Sequence, residues 1–285
     1  MNRREVLVGG AVSAAWTVMG LPAMALADNL NFDQTLAALR DSGVTLLGAG
    51  GSLEAKDALH AGVATSAGVS NGPISNTPIA PEAIDLIVFC EVTSKKAYTK
   101  KYKGLIWPGG RSGVTCGIGY DVGYVTEERL QADWAGYISD QDIKNIAKAC
   151  GIKAKAAKRL LPRMAHESIE FDTAYRQFIE KDAPRYTGEV ENVLFNTKLL
   201  SPKSLGALVS LDYNRGSSFK AKPAKDRKID RYTEMRNIYA HMKSKEFNKI
   251  PDEIRNMVRL WENDPEASGL VTRRNLEAKL FEEGL

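Results

Sequence analysis

Two stretches decide the fold expected of this chain: Cys90-Glu91, and the run Trp107-Pro108-Gly109-Gly110-Arg111-Ser112-Gly113-Val114-Thr115-Cys116-Gly117-Ile118-Gly119-Tyr120-Asp121. Upstream of the first, Ile84, Ile87 and Val88 follow the spacing of one helical face. Glu91 is the next member of that face, so its carboxyl should point at the core. A carboxyl held against apolar groups loses hydration and is harder to ionise, a property that a general acid needs near neutral pH.

The second stretch predicts a glycine-rich β-hairpin. If it starts as a strand, Thr115, Gly117, Gly119 and Asp121 share one face, and the glycines permit a bend. Fully extended, six residues would span about 20 Å, so Thr115 and Asp121 can hold one water only if the chain bends. A helical Glu facing a hairpin that carries a hydroxyl and a carboxylate indicates glycoside hydrolysis, which uses a pair of carboxyl groups.

Three motifs resemble the phage-type lysozyme superfamily, in particular its pesticin-like branch. Glu91 followed by Thr115-x-Gly117-x-Gly119-Tyr120-Asp121 is similar to the family's helix Glu and hairpin, with Cys116 in place of the usual Ile. Ala207-Leu208-Val209-Ser210-Leu211-Asp212-Tyr213-Asn214-Arg215-Gly216 resembles a second family helix, and Arg273-Arg274-x-x-Glu277 resembles its closing helix. The resemblance covers roughly residues 81–285.

The resemblance implies a muramidase that hydrolyses the β-1,4 bond between N-acetylmuramic acid and N-acetylglucosamine in peptidoglycan, with no cofactor. Glu91 would be the proton donor, and Asp121 with Thr115 would position the water. Other phage-type lysozymes place their Asp before the Thr, but no Asp or Glu lies between Glu91 and Asp121 here. The residues that would contact the glycan strand are Tyr98, Gly117, Gly119, Tyr120, Asn214 and Arg215.

Two other functions fit the same residues. A lytic transglycosylase forms an anhydro-sugar without attack by water and typically manages with one Glu. A non-catalytic peptidoglycan-binding protein could keep the fold without turnover. Remodelling of the cell's own wall, attack on competitors and phage lysis are all compatible with a muramidase.

Composition indicates a globular protein without a metal site. Hydrophobic residues make up 44% of the 285 and charged residues 26%, which is typical of a soluble globular chain with one sizeable core. The net charge of +4 suits an anionic polymer such as cell-wall material, and no nucleic-acid partner is expected. Three cysteines leave at least one thiol unpaired within the chain, and the three histidines are far apart, so no metal site is predicted. We expect a monomer.

The N-terminal part divides into an export signal and a linker. Residues 1–27 combine Arg3-Arg4, an uncharged stretch and the cleavage-like Ala25-Leu26-Ala27, which favours export to the periplasm or medium, through either the twin-arginine or the ordinary secretory machinery. An uncleaved anchor is the alternative. Residues 28–80 are rich in Gly, Ser, Asn and Pro and predict a linker or loosely ordered arm, with a short helix at residues 32–40.

The remaining chain, residues 81–285, predicts a lysozyme-like α+β domain with a small hairpin lobe, a larger helical lobe and a cleft between them. Thr126 should cap a helix running to Tyr137, and Ser139 or Asp140 a helix that Gly151 ends. A further helical pattern runs from Phe171 until Pro184.

Three more helices complete the predicted domain. Ser204 to Arg215 predicts a central helix closed by Gly216. Asp212 joins the apolar face of this helix, where we expect a local ion pair with Arg215; a contact with substrate or with a site residue is the alternative. Another helix should start at Pro251. The last should begin near Leu270, with Arg273 and Glu277 paired on its surface.

Overall fold

The computed structural model describes residues 30–42, 70, 72–223, 229–264 and 267–285. These residues belong to two compact units that meet in sequence between Val44 and Thr45. The predicted export signal and most of the predicted linker lie outside the described residues. In the part of the chain that is described, no helix is both long and apolar enough to cross a bilayer.

The first unit contains helix α1, Phe32–Asp41, and confirms the short helix predicted there. Its N-terminus has a capping box, in which Asn31 Oδ1 accepts from Gln34 N and Gln34 Oε1 accepts from Asn31 N. These two bonds satisfy backbone donors that a helix start otherwise leaves unpaired.

In its described residues, the second unit is mostly helical and carries one two-stranded antiparallel sheet, which confirms the predicted α+β layout. The strands are β1, Thr115–Cys116, and β2, Tyr120–Asp121. The helices are α2 Pro81–Val92, α3 Lys95–Lys101, α4 Glu127–Trp134, α5 Asp140–Ala147, α6 Ala154–Leu160, α7 Phe171–Gln177, α8 Ala183–Val193, α9 Pro202–Arg215, α10 Thr233–Ser244, α11 Ile250–Asn256 and α12 Ser268–Glu282.

Helix α9 lies at the centre of this unit. Every residue from Ser204 to Arg215 is buried, and α2, α8 and α12 pack around the helix. Gly206 allows α2 to come close, because a Cβ there would lie 2.4 Å from Ala83 Cβ. The predicted central helix is therefore confirmed, and Gly216 ends it with a positive φ of 69°.

Side-chain capping explains several helix starts, and a glycine turn accompanies one corrected helix end. Thr126 and Ser139 cap α4 and α5 through their hydroxyls, as predicted. The chain leaves α4 at Trp134 and not at Tyr137, since Gly136 adopts a φ of +82°.

Other ends also differ from the predictions. Helix α5 ends at Ala147, so Cys150 lies beyond it. The helix predicted to run from Phe171 to Pro184 is divided: α7 passes into a π-helical turn, Phe178–Asp182, before α8 begins. Such turns insert an extra residue and re-aim the following helix. The helix at Pro251 ends at Asn256.

Residues 72–80, the end of the predicted linker, pack against helices of the second unit. They form no helix or strand and run along α8, where Ser75 N donates to Pro184 O at 3.0 Å. The hydroxyls of Ser75 and Thr77 both donate to the carboxylate of Glu191 at 2.6 Å. Backbone and side-chain bonds together hold this segment on the helical body.

Candidate active site

Glu91 stands in the last turn of α2, on the face predicted from its spacing. Ile87, Phe89 and Cys90 around it are buried, and the Glu91 side chain itself is 8% exposed. The prediction that this carboxyl lies against the core is confirmed.

The immediate neighbour of Glu91 is a buried cation. Arg273 Nη1 on α12 donates to Glu91 Oε1 at 2.8 Å, and the Arg273 side chain has no exposed surface. Burial lowers the pKa of the Arg273 guanidinium, but its interactions with Cys90, Glu91 and Glu277 outweigh this and hold it above its usual value. The apolar surroundings expected from the sequence thus contain a permanent positive charge.

Arg273 links Glu91 to a wholly buried network on α9 and α12. Its Nε lies 3.0 Å from Glu277 Oε1, which also accepts from the Ser210 hydroxyl at 2.7 Å. Arg274 Nη2 donates to both Glu277 Oε1 and Asn214 Oδ1 at 3.0 Å. The predicted Arg273–Glu277 pair exists, but its predicted place on the surface is wrong, because this face of α12 packs against α9.

The hairpin bends as predicted. Its register places Thr115 opposite Asp121, and Gly117 and Gly119 turn the chain with φ of +58° and +78°. A Cβ on Gly119 would lie 3.3 Å from Glu91 Oε2 and 3.0 Å from the hydroxyl of Tyr213. The hairpin turn therefore lies against the Glu91 carboxyl, and Gly119 in that turn is partly exposed.

Asp121 is held tightly at the base of the hairpin. Its two oxygens accept from Gly113 N at 3.0 and 2.9 Å, and Oδ1 also accepts from Gly123 N at 2.9 Å. Burial raises the pKa of the Asp121 carboxyl to about 6, although these N–H groups and the nearby Lys153 act in the opposite direction. Asp121 both fastens the chain around the hairpin and titrates near neutral pH.

Thr115 presents an unused hydroxyl. Its backbone pairs with Ile106, with N–O distances of 2.8 and 3.0 Å. The side chain is buried, and Oγ1 has no hydrogen-bond partner among the described residues. A buried hydroxyl without a partner is unfavourable by itself, so Thr115 Oγ1 is available as a hydrogen-bond donor and acceptor.

Tyr98 and Tyr120 are not placed to meet a glycan directly. Tyr98 is fully buried and donates its hydroxyl to Ile169 O at 3.0 Å. Tyr120 is 1% exposed and donates to Asp133 Oδ2 at 3.0 Å. Both have packing roles in place of the predicted substrate contact.

Asn214 and Arg215 also point into the protein. Both are fully buried, and Asn214 accepts from Arg274. The Arg215 guanidinium lies 5.3 Å from the ring centres of both Tyr232 and Trp261. The predicted contact of these two residues with substrate is wrong, because α9 is surrounded on all faces. Instead, both side chains pack inside the protein and stabilise α9.

Asp212 does not form the predicted ion pair with Arg215. Its carboxyl is completely buried and, within the described part of the chain, has no hydrogen-bond partner. Burial raises the pKa of Asp212 well above its usual value, and the nearby Glu189 adds to the effect.

Two tyrosines near Glu91 were not identified from the sequence. Tyr213, within the second motif, donates its hydroxyl to Ile118 O in the hairpin turn. Tyr102 is half-buried, and burial together with the charge of Glu91 raises the pKa of its hydroxyl. Only the tertiary contact identifies either as a neighbour of the site, because aromatic residues at these positions also suit a plain core.

No metal centre is evident in the described residues, where no three His, Cys, Asp or Glu side chains gather. All three cysteines are free thiols, with Cys90 and Cys116 buried beside Glu91 and in the hairpin. Comparison with models of known protein families, and with curated proteins, found no significant match to this chain.

Proposed function

We propose that the protein is an exported peptidoglycan muramidase with a lysozyme-like fold, cutting the β-1,4 bond between N-acetylmuramic acid and N-acetylglucosamine. One observation carries the proposal: the Glu91 carboxyl meets the glycine turn of a hairpin whose strands place Thr115 opposite Asp121. The substrate and the cleft between hairpin and helices come from the resemblance of the three motifs. Residues 1–27 would direct export to the periplasm or the medium.

The two oxygens of Glu91 have different surroundings, which suggests how proton transfer works. Oε1 is held by Arg273, whereas Oε2 faces the Gly119 turn. Oε2 is therefore the oxygen that would protonate the leaving sugar. Arg273 would then stabilise the carboxylate that remains, since its charge is permanent.

Thr115 and Asp121 would handle the water. The free Thr115 hydroxyl can hold a water, and a carboxyl with a pKa of about 6 can accept its proton near neutral pH. Direct attack by this water requires carboxyl groups roughly 6.5–9.5 Å apart and inverts the anomeric centre. Early-time NMR of the product anomer tests this step, because initial retention would exclude direct attack.

A lytic transglycosylase is the second candidate, and one observation favours it. Three backbone N–H contacts already engage the Asp121 carboxylate, as they would in a purely structural role. An enzyme of this class needs only Glu91 for acid and base steps. Activity of an Asp121→Asn variant, together with anhydro-sugar products, would select it.

Mass spectrometry of the products released from purified peptidoglycan tests the proposal. Muropeptides with ordinary reducing ends should appear with the unchanged protein and vanish with Glu91→Gln. Anhydro-muropeptides would move the assignment to the transglycosylases. Binding to the wall without any release would indicate a non-catalytic wall-binding protein.

A further inference from the structure

A strongly basic surface adjoins the hairpin. Residues 92–120 contain six Lys and Arg, residues 143–166 contain seven, and neither segment has a single Asp or Glu. The whole chain has a formal net charge of only +4. Positive charge is therefore concentrated in these two segments, which together form what we call the basic face.

Backbone pairing joins the two segments. Gly113 and Lys153 form an antiparallel bridge, and Ala154 N donates to Ser112 O at 2.9 Å. Just beyond the end of the second segment, Ile169 N donates to Lys103 O in the first segment at 2.8 Å. The concentration of charge seen in the sequence is thus also a concentration in space.

Most cations of the basic face are not neutralised. Lys95 pairs with Asp172, and Lys103 with Glu170. The other cations form no ion pair with an acidic side chain among the described residues: they are Lys96, Lys100, Lys101, Arg111, Lys144, Lys148, Lys153, Lys155, Lys158, Arg159 and Arg163. Exposed charges that are not held in an ion pair attract an anionic polymer over a distance set by salt.

Two aromatic rings order the lysines nearest the hairpin. Lys153 Nζ lies 3.7 Å from the ring centre of Tyr124, and Lys158 Nζ lies 5.4 Å from that of Trp107. A ring restrains an ammonium group without cancelling its charge, unlike a carboxylate. Both rings are partly exposed and both lysines are exposed, so the charges remain available to a ligand.

The basic face leads directly into the candidate site. Gly113, which is bridged to Lys153, donates its N–H to the carboxylate of Asp121. The strand that follows begins at Thr115, whose hydroxyl is free. A polymer bound along the face would reach the hairpin without leaving the protein surface.

We propose that the basic face is the docking surface for a glycan strand that bears carboxylates, and that it contacts the acidic peptide side chains of that strand. The inference rests on the proposed function and adds the chemical feature by which the substrate is recognised. Nucleic acid and anionic lipid carry phosphates in place of carboxylates, and continuity with the hairpin favours the glycan strand over both.

Cosedimentation with purified sacculi tests this, with the full chain carrying Glu91→Gln so that no strand is cut. Adding Lys153→Gln with Lys158→Gln should weaken binding about tenfold at low salt and make its salt dependence shallower. A matched control, Lys198→Gln with Lys243→Gln, removes two exposed lysines outside the basic face and should leave affinity within about twofold. Equal affinity of the two double variants would overturn the proposal.

A second measurement does not depend on how the variants fold. Amidation of the sacculus carboxylates should weaken binding of the protein with its lysines intact at least as much as the double substitution does. Unchanged binding to amidated sacculi would refute recognition of carboxylates. Tighter binding to phosphatidylglycerol vesicles or to duplex DNA, lost with the same two lysines, would assign the face to a different partner.

Product release by the unchanged protein separates the two proposals. If muropeptides are released but binding does not depend on charge, the docking surface is refuted and the muramidase proposal stands. If binding depends on charge but no muropeptide is released, the muramidase proposal is refuted and the basic face remains a wall-binding surface.

Discussion

Replacing Glu91 by glutamine should destabilise the protein as well as inactivate it. Sequence spacing alone predicts the opposite change in stability. If Glu91 lay only against apolar residues, glutamine would remove the cost of burying a charge, and the variant would have a Tm equal to or slightly above that of the unchanged protein. In the structure, however, Glu91 neutralises Arg273, which is completely buried. The Glu91→Gln change would leave Arg273 with one fewer carboxylate, and it shares the carboxylate of Glu277 with Arg274.

The size of the effect follows from what the substituted side chain keeps. The amide oxygen of the glutamine can still accept from Arg273 Nη1, and Glu277 Oε1 remains 3.0 Å from Arg273 Nε. The loss is therefore smaller than the 3–5 kcal/mol, roughly, that follows when a buried charge loses its only partner. Replacing a charge-assisted hydrogen bond by a neutral one should remove about 1–2 kcal/mol. For a domain of this size, that lowers Tm by about 3–6 °C.

Thermal and urea unfolding of the two proteins, beside product release from peptidoglycan, measures both effects. Glu234→Gln is a matched control, because Glu234 is also buried and paired with an arginine, but Arg259 is 38% exposed and can be hydrated after the change. Its loss should be smaller. A Tm for Glu91→Gln equal to or above that of the unchanged protein would refute the role of Arg273, and normal turnover would refute the role of Glu91.

Three further changes test the site and its surroundings. Thr115→Val removes a hydroxyl that has no described partner, so Tm should stay equal or rise while kcat falls by about 10²-fold if the hydroxyl holds the water; an unchanged kcat would remove Thr115 from the mechanism. Gly119→Ala places a Cβ 3.3 Å from Glu91 Oε2 at a φ of +78°, and should lower both Tm and kcat, whereas Gly136→Ala, with open space around it, should lower Tm only. Burial raises the pKa of Asp182 to about 7, so the native state holds a proton that the unfolded chain has lost, and stability falls as pH rises from about 4 through about 7. Asp182→Asn should therefore gain about 2–4 kcal/mol in urea unfolding near pH 8 and nothing near pH 4, and an equal gain at both would contradict this assignment.

Features that depend on neighbouring residues could be predicted well. Three such features depend only on residues a few positions away in the chain. They are the apolar spacing before Glu91, the capping hydroxyls of Thr126 and Ser139, and the glycines of the hairpin. A cap, a helical face or a positive φ is decided by the local backbone, so the sequence carries the information directly.

Predictions of what a particular side chain contacts were less successful, even between residues of one helix. Asp212 was paired with Arg215 because the two share one helix, yet the structure buries both and directs Arg215 at Tyr232 and Trp261. Asn214 was expected to meet substrate and instead accepts from Arg274. Helical spacing gives the face on which a residue lies, but it does not show what covers that face.

The sequence by itself determined that Glu91 continues the apolar face of a helix, that a hairpin bends between Thr115 and Asp121, and that basic residues without acids fill two segments. Only the tertiary structure decided that Arg273, 182 residues further along the chain, neutralises Glu91, and that the two basic segments lie side by side. The reason is physical: backbone preferences act over a turn or two of chain, whereas an ion pair depends on which helices pack together, and that is settled by burial of the whole core.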